Sequence, residues 1–236
     1  MVSRNLNPSP ERVAIVGWTA RLGAITAAAL ATREDTSLAA ARARLGALEG
    51  AGWLVRERPL TGQPALYTAT RDGLRVSSLQ GLDRCRVSAA GAKHLIECAR
   101  VAAALERRFP DHRVTGEREL RRDERGCGAP LASACLGAGE HGEPLLHRPD
   151  LVLWPTACTG EVTTCVGRDE RPVAVEVELT VKARRRLAEI CLAWARCRCV
   201  AGVVYVAPPE VQRALARAIA QAAAGRRIAV VGLDAL

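Results

Sequence analysis

The sequence lacks the features that direct a chain into or across a membrane. Residues 1–10 contain no apolar core of the kind that a signal peptide requires, and no later apolar run approaches the roughly 20 residues of a membrane span. We therefore expect a cytoplasmic protein with no membrane partner. In a reducing compartment, the nine cysteines should be mostly reduced and should pack as small buried hydrophobic side chains.

Motifs typical of several enzyme classes are also missing. There is no glycine-rich loop that could cradle a phosphate, which argues against nucleotide hydrolysis. Structural zinc usually uses closely spaced cysteine pairs on turns, whereas Cys197 and Cys199 fall at a predicted helix end and Cys158 and Cys165 are too far apart. No recognised motif surrounds a nucleophilic cysteine.

Acidic residues are outnumbered by basic ones. The 236-residue chain has 34 Lys and Arg against 25 Asp and Glu, a net charge of +9, and arginine supplies almost all of the positive charge. Because the planar guanidinium group binds phosphate in a bidentate manner, this balance favours a polyanionic partner. The alanine, arginine and glycine content is also typical of a GC-rich genome, so compositional drift is an alternative explanation.

The N-terminal part has the order of elements found in winged helix-turn-helix domains. Residues 11–32 predict two short helices, and apolar residues from Leu38 to Leu48 recur at helical spacing. Two strands joined by a turn at residues 61–64 follow. Three helices and a hairpin therefore predict a winged helix-turn-helix DNA-binding domain over residues 1–87.

In such a domain the third helix enters the major groove and the hairpin contacts phosphates. The predicted contacts with double-stranded DNA are the polar and basic residues of these elements: Ser37, Arg42, Arg44, Arg56, Arg58 and Arg71. An alternative is that the same unit binds another protein, as many winged helices do.

Acidic side chains stand out in residues 147–182. Asp150 opens an apolar strand, and residues 172–182 alternate strictly, which predicts a second strand with Glu176 and Glu178 side by side on one face. Burying carboxylates is costly unless a cation or hydrogen bonds compensate, so we expect a positive group beside them. Three oxygen ligands that meet at a sheet suit Mg²⁺ or Mn²⁺.

Pro149-Asp150 together with Glu176-Val177-Glu178 resembles the PD-(D/E)xK nuclease superfamily. The resemblance implies an α/β domain over residues 88–236, with a mixed central sheet flanked by helices, and therefore an α+β protein overall. It also implies a divalent ion that supplies a water molecule to attack a phosphodiester. The metal ligands would be Asp150, Glu176 and Glu178, and Lys182 would complete the catalytic set. Glu178 stands where the family has lysine, so a non-catalytic nuclease-like scaffold is the alternative.

Two further features surround these acids. The helix predicted after Lys182 carries Arg184 and Arg185, which we expect to contact DNA. His147 lies three residues before Asp150 and would either approach the scissile phosphate or cap the strand.

The winged helix, the two acidic strands and the arginine-rich helix that runs into Ala195-Arg-Cys-Arg-Cys-Val-Ala-Gly-Val-Val-Tyr are together similar to the replication-relaxation family. The similarity extends from about residue 11 to the end of the chain. Proteins of that family are encoded on bacterial plasmids and integrative elements, and the family name implies a role in starting plasmid replication or in DNA relaxation. The resemblance implies double-stranded DNA as partner and Mg²⁺ or Mn²⁺ as cofactor if the site is active. It also allows a homodimer and contacts with replication or mobilisation proteins.

Overall fold

A computed structural model describes residues 8–155 and 171–235. The chain is a mixed α+β protein and divides into two compact units, Met1–Arg108 and Phe109–Leu236. Among the described residues, every helix is too short or too polar to cross a bilayer. The seven described cysteines form no disulfide bonds with one another.

The first unit contains five helices and a small sheet. The helices are α1 (Pro10–Leu22), α2 (Ala27–Arg33), α3 (Leu38–Gly50), α4 (Arg71–Val76) and α5 (Ala89–Arg108). The strands are β1 (Ala24–Ile25), β2 (Leu54–Glu57) and β3 (Leu66–Ala69), which form an antiparallel sheet in the order β1-β3-β2. The break between the units follows α5, whereas the sequence interpretation began the second domain with that helix.

Short polar side chains begin the helices of this unit. Ser9, Thr26, Ser37 and Thr70 each accept a hydrogen bond from the backbone N–H three residues further on, which satisfies one of the amides that a helix start leaves without a partner. The cap of α3 is thus Ser37. Its apolar stripe then packs inward as expected, because Ala41, Leu45 and Leu48 are fully buried.

Helix α4 was not expected, since the sequence suggested that the second hairpin strand continued to Arg71. Strand β3 ends at Ala69, and Thr70 then caps the new helix by accepting from the N–H of Gly73 at 3.0 Å. Glycine is required there because an added Cβ would lie 2.1 Å from the carbonyl oxygen of Trp53. This close approach turns the chain out of the hairpin, and Arg71 belongs to the helix.

The second unit has seven strands and three helices among its described residues. The strands are β4 (His112–Gly116), β5 (Ala134–Ala138), β6 (Pro144–His147), β7 (Leu151–Pro155), β8 (Val173–Val177), β9 (Gly202–Ala207) and β10 (Ile228–Gly232). The helices are α6 (Glu117–Cys127), α7 (Arg184–Arg196) and α8 (Pro209–Gln221), and a 3-10 turn, Leu233–Ala235, follows the last strand.

A five-stranded mixed sheet forms the centre of this unit, in the order β10-β9-β8-β7-β4. Strands β8, β9 and β10 are parallel, while β7 runs antiparallel to both β8 and β4. Its core includes Trp194 of α7 and Leu215 of α8, which are fully buried together with Tyr205 of the sheet. The mixed central sheet with flanking helices confirms the coarse architecture that the sequence predicted.

Two segments differ from expectation. Strand β8 ends at Val177, so the alternation that continues to Lys182 belongs to a connection and not to a strand. Residues 117–127 form helix α6, which the sequence patterns above did not predict, and its Leu120 and the acid Glu124 face inward. Strands β5 and β6 form an antiparallel hairpin.

Candidate functional site

A basic groove lies between α3 and the β2–β3 hairpin of the first unit. It encloses about 600 Å³ and is lined by Arg42 of α3 and by Arg56 and Arg58 of the hairpin. Strand register sets Arg56 opposite Tyr67, which also lines the groove. None of the three arginines forms an ion pair within residues 8–155 and 171–235, and Glu49 is the one acid in the lining. The groove therefore carries a net positive charge that is open to solvent.

The other residues predicted to contact DNA in this unit, Ser37, Arg44 and Arg71, do not line the groove. Ser37 is occupied as the cap of α3, through its bond from the N–H of Ala40 at 3.1 Å. Arg44 forms an ion pair with Glu34, which neutralises part of its charge. Arg71 lines a separate cavity of about 1020 Å³ on the Glu57 side of β2.

The three predicted acids of the second unit lie around the end of strand β8. Asp150 directly precedes β7, and the pairing of Leu151 with Val175 carries it alongside the end of β8. Its Oδ2 accepts a hydrogen bond from the N–H of Val177 at 2.8 Å, and its carbonyl oxygen accepts from the N–H of Glu117 at 3.0 Å. Asp150 thus ties α6, β7 and β8 together.

Glu176 is buried inside the second unit, with 5% of its surface exposed. Its Oε1 accepts from the ring Nε2 of His147 at 2.7 Å and from the indole N–H of Trp194 at 3.1 Å. The His147 and Trp194 rings also meet edge to face, with centroids 5.7 Å apart. Two donors from different elements therefore fix this carboxylate, and His147 is its partly exposed neighbour.

Glu178 and Lys182 form an ion pair just after β8. Glu178 is 6% exposed, and its backbone N–H donates to the carbonyl oxygen of Val206 at 3.0 Å. The ammonium group of Lys182 binds its carboxylate from the connection that leads into α7. The expectation that a positive group compensates the buried acids is confirmed here.

The positions of the three carboxylates also bear on metal binding. In the described part of the chain, the carboxylate oxygens of Asp150, Glu176 and Glu178 do not all lie within 4.8 Å of one another. Mg²⁺ holds its oxygen ligands at about 2.0–2.1 Å, so a shared ion would draw these side chains away from their present donors. Carboxylate oxygens are the type of ligand that Mg²⁺ prefers, and the assignment of a metal site stays a prediction.

Neighbours of Glu176 that the sequence did not single out are Cys191 of α7 and Tyr205 of β9. Burial raises the pKa of the Cys191 thiol to about 11, and the charge of Glu176 adds to this rise. Burial, with a further contribution from Glu176, also raises the pKa of Tyr205 well above its usual range. The nearby N–H of Trp194 acts in the opposite direction and lowers the pKa of Tyr205, although its hydrogen bond goes to Glu176. Within the described residues, the Tyr205 hydroxyl has no hydrogen-bond partner. Only the sheet order reveals this cluster, since Tyr205 faces Glu176 across β8 and β9.

Arg148, next to His147, serves a different acid. Its Nε donates to Glu124 Oε2 at 2.8 Å, while Oε1 of the same buried carboxylate accepts from the Ser133 hydroxyl at 2.5 Å and from the Leu131 N–H at 3.0 Å. Arg148 and Glu124 thus hold α6 against the start of β5, and this contact gives both side chains a structural role.

Arg184 and Arg185 begin α7 and are exposed. Arg185 pairs with Glu189 one turn along the helix at 3.0 Å. Both line a shallow cavity of about 540 Å³ with Leu192. Cys158 and Cys165, considered above for zinc, lie outside the described residues.

Comparison with protein-family models, curated proteins and solved structures finds no match to this chain. The resemblances to nuclease and replication-relaxation families therefore rest on the residue patterns alone and stay predictions.

Proposed function

We propose that this protein binds double-stranded DNA through a winged helix-turn-helix in its first unit. The order α1, β1, α2, α3, β2, β3, with β3 between the other two strands, is the arrangement expected for that domain. The single observation that carries the proposal is the basic groove, in which three arginines without ion pairs in the described chain flank α3 and the hairpin.

The exposed face of α3 suits a helix that enters a major groove. Ala39, Ala43 and Gly46 are exposed beside Arg42, and a Cβ added at Gly46 would meet no atom within 4 Å. Small side chains allow close approach to base edges, and Arg42 can then bind a guanine edge or a phosphate. Arg56 and Arg58 would contact phosphates from the hairpin.

For the second unit, we propose a PD-(D/E)xK-like scaffold that supports binding without cleaving DNA. The series of three neighbouring strands β4, β7 and β8, then α7 and β9, supports a relation to those nucleases. Each of the three acids already has a partner, which argues against catalysis. Asp150 accepts from a backbone amide, Glu176 accepts from two side-chain donors, and Glu178 pairs with Lys182. The resemblance to the replication-relaxation family suggests action on a plasmid or integrative element, at the start of replication or in DNA relaxation.

The second candidate function is a Mg²⁺-dependent nickase or endonuclease. It is favoured by Asp150, Glu176 and Glu178 lying around the end of one strand with Lys182 beside them. When bound, Mg²⁺ or Mn²⁺ would supply a water for attack on a phosphodiester. Lys182 would then have to leave Glu178 to stabilise the developing negative charge.

A shift assay on the whole chain tests the first proposal. We expect wild-type protein to retard a duplex at low salt, and Arg42→Ala with Arg56→Ala to weaken binding by about 10-fold or more, since each contact contributes about 1–3 kcal/mol. Arg213→Ala with Arg217→Ala, at exposed positions of α8, removes the same two charges outside the groove and should change affinity little. Equal weakening in the groove and control variants would overturn the proposal.

A further inference from the structure

A cavity of about 1020 Å³ lies in the first unit on the side of β2 away from the basic groove. Because successive side chains of a strand point to opposite faces, Val55 and Glu57 line this cavity whereas Arg56 lines the groove. Helix α4 and the connection between α4 and α5 complete its walls. We refer to it as the rear cavity. A duplex seated in the groove would leave the rear cavity unfilled.

Apolar side chains contribute part of the lining of the rear cavity. Leu74 of α4 and Leu82 of the connection are buried, and Val55 and Val87 are half-buried. Its volume lies at the upper end of the range for small-molecule sites, about 300–1,000 Å³. An apolar lining favours a ligand with an apolar body, because both surfaces lose contact with water on binding.

Arginines are the commonest charged residues of the lining. Glu57 and Asp83 are its two acids, and four arginines accompany them: Arg71, Arg75, Arg84 and Arg86. Arg75 pairs with Asp72 at 3.0 Å, and the Glu57 carboxylate accepts from the Thr68 hydroxyl at 3.3 Å. Even with Asp72 included, the four arginines outnumber the acids, so the cavity favours an anion.

Three of these guanidinium groups are available to a ligand. Arg71, Arg84 and Arg86 are exposed, and their side chains form no hydrogen bond or ion pair within residues 8–155 and 171–235. Solvation alone explains arginines at scattered surface positions. It gives no reason for Arg71 of α4 and two arginines of the connection to meet beside an apolar lining.

We propose that the rear cavity binds a small amphipathic anion, in which a carboxylate or phosphate is attached to an apolar ring or chain. The planar guanidinium groups bind the oxygens of such a head group by paired hydrogen bonds. The apolar body then contacts Leu74 and Leu82. This inference goes beyond the proposed DNA binding and does not depend on it.

Isothermal titration of the whole chain with three matched probes tests the proposal. Naphthoate has both the ring and the charge, naphthamide has the ring alone, and acetate has the charge alone. We expect naphthoate to bind at least about 10-fold more tightly than either of the others, because each lacks one of the two contributions. Equal affinity for naphthoate and naphthamide, or for naphthoate and acetate, would overturn the proposal.

Naphthyl phosphate distinguishes the two head groups. Tighter binding than naphthoate would assign a phosphate ligand, and weaker binding would assign a carboxylate. If neither anion binds at millimolar concentrations, the rear cavity is not a site for this class of ligand.

Variants of the connection locate the site. Arg84→Gln with Arg86→Gln should weaken naphthoate binding by about 10-fold, because two charged donors are lost. Arg84→Lys with Arg86→Lys should retain most of the affinity, since lysine keeps the charge. Arg213→Gln with Arg217→Gln removes the same charge from exposed positions of α8 and should have no effect. Equal losses in the glutamine pair and the control pair would contradict the assignment to this cavity.

Duplex binding separates this inference from the proposed function. Arg84→Gln with Arg86→Gln should keep the duplex affinity that the groove variants lower. If this pair loses duplex affinity and keeps naphthoate affinity, the arginines contact DNA and the inference is wrong. If wild-type protein binds naphthoate at the rear cavity but no duplex at low salt, the inference holds and the proposed function is wrong.

Discussion

Glu176 and His147 form a hydrogen bond of 2.7 Å in the interior of the C-terminal unit, with Trp194 donating to the same carboxylate oxygen. Histidine comes from the end of β6 and glutamate from β8, so this contact joins a hairpin to the central sheet. Trp194 adds the helix α7 to the same point. The acid that the sequence marked as a metal ligand is therefore also a structural junction.

Glu176→Gln should destabilise the C-terminal unit. The amide keeps the shape of the side chain but loses the charge that strengthens both bonds, and such bonds contribute about 1–3 kcal/mol. Urea unfolding followed by tryptophan fluorescence measures the change. Glu210→Gln at the exposed start of α8 is the control and should have almost no effect. An unchanged or raised stability in Glu176→Gln would show that the buried acid is kept for a reason other than folding.

Gly73→Ala should destabilise the first unit by about 1–3 kcal/mol, as overpacking against an immovable group does. The new methyl group would collide with the Trp53 backbone carbonyl, which cannot turn away as a side chain could. Gly46→Ala is the matched control, because its Cβ meets open space on α3, and it should stabilise the helix by about 0.5–1 kcal/mol. Thermal unfolding of both variants gives the comparison, and a harmless Gly73→Ala would contradict the described packing of α4.

Cys191 should make stability fall at alkaline pH. Burial raises the pKa of its thiol from 9.0 to about 11, so the unfolded chain releases this proton before the folded chain does. Between those values the folded state binds more protons, and the free energy of unfolding therefore decreases as pH rises. The contribution is fully present below about pH 9 and is lost as pH rises through about 11.

Urea unfolding across that alkaline range, in wild type and Cys191→Ala, measures the contribution of the thiol together with its effect on the pKa of Tyr205, which the charge of Cys191 also raises. The variant should lose less stability with rising pH than wild type. Parallel curves would show that the Cys191 proton is not held by the fold.

The carboxylates allow a direct test of metal binding. If the scaffold is non-catalytic, isothermal titration with Mg²⁺ or Mn²⁺ should show no binding at millimolar concentrations, and supercoiled plasmid should stay intact in either ion. Nicking that disappears in both Asp150→Asn and Glu176→Gln would instead establish the nickase as the function. Circular dichroism of each variant guards against loss of fold, since Asp150 also accepts the Val177 amide.

Local patterns predicted much of the fold. The apolar spacing from Leu38 to Leu48 gave α3 nearly to its last residue, because an amphipathic stripe depends only on neighbours along the chain. The end of β8 could not be predicted in this way, because the alternation in the sequence continues past Val177, whereas the pairing with β9 ends at Val177 and Val206. Helix α6 was missed because charged residues fill it and its inward acid, Glu124, depends on Arg148 from a distant segment.

The candidate site was predictable in part. The sequence identified the acids and the groove arginines as candidate site residues. It could not pair Glu176 with Tyr205, which requires the sheet order, or show that Arg71 lies in α4 on the other side of β2. Distances between elements, and not local spacing, decide those points.

Backbone hydrogen exchange of the whole chain, with and without a duplex at low salt, tests the central claim most directly. Binding by the winged helix predicts slower exchange in residues 38–50 of α3 and in the hairpin residues 54–69, with Arg42→Ala and Arg56→Ala reducing that protection. Protection confined to other segments, or none at DNA concentrations that saturate binding, would contradict the account.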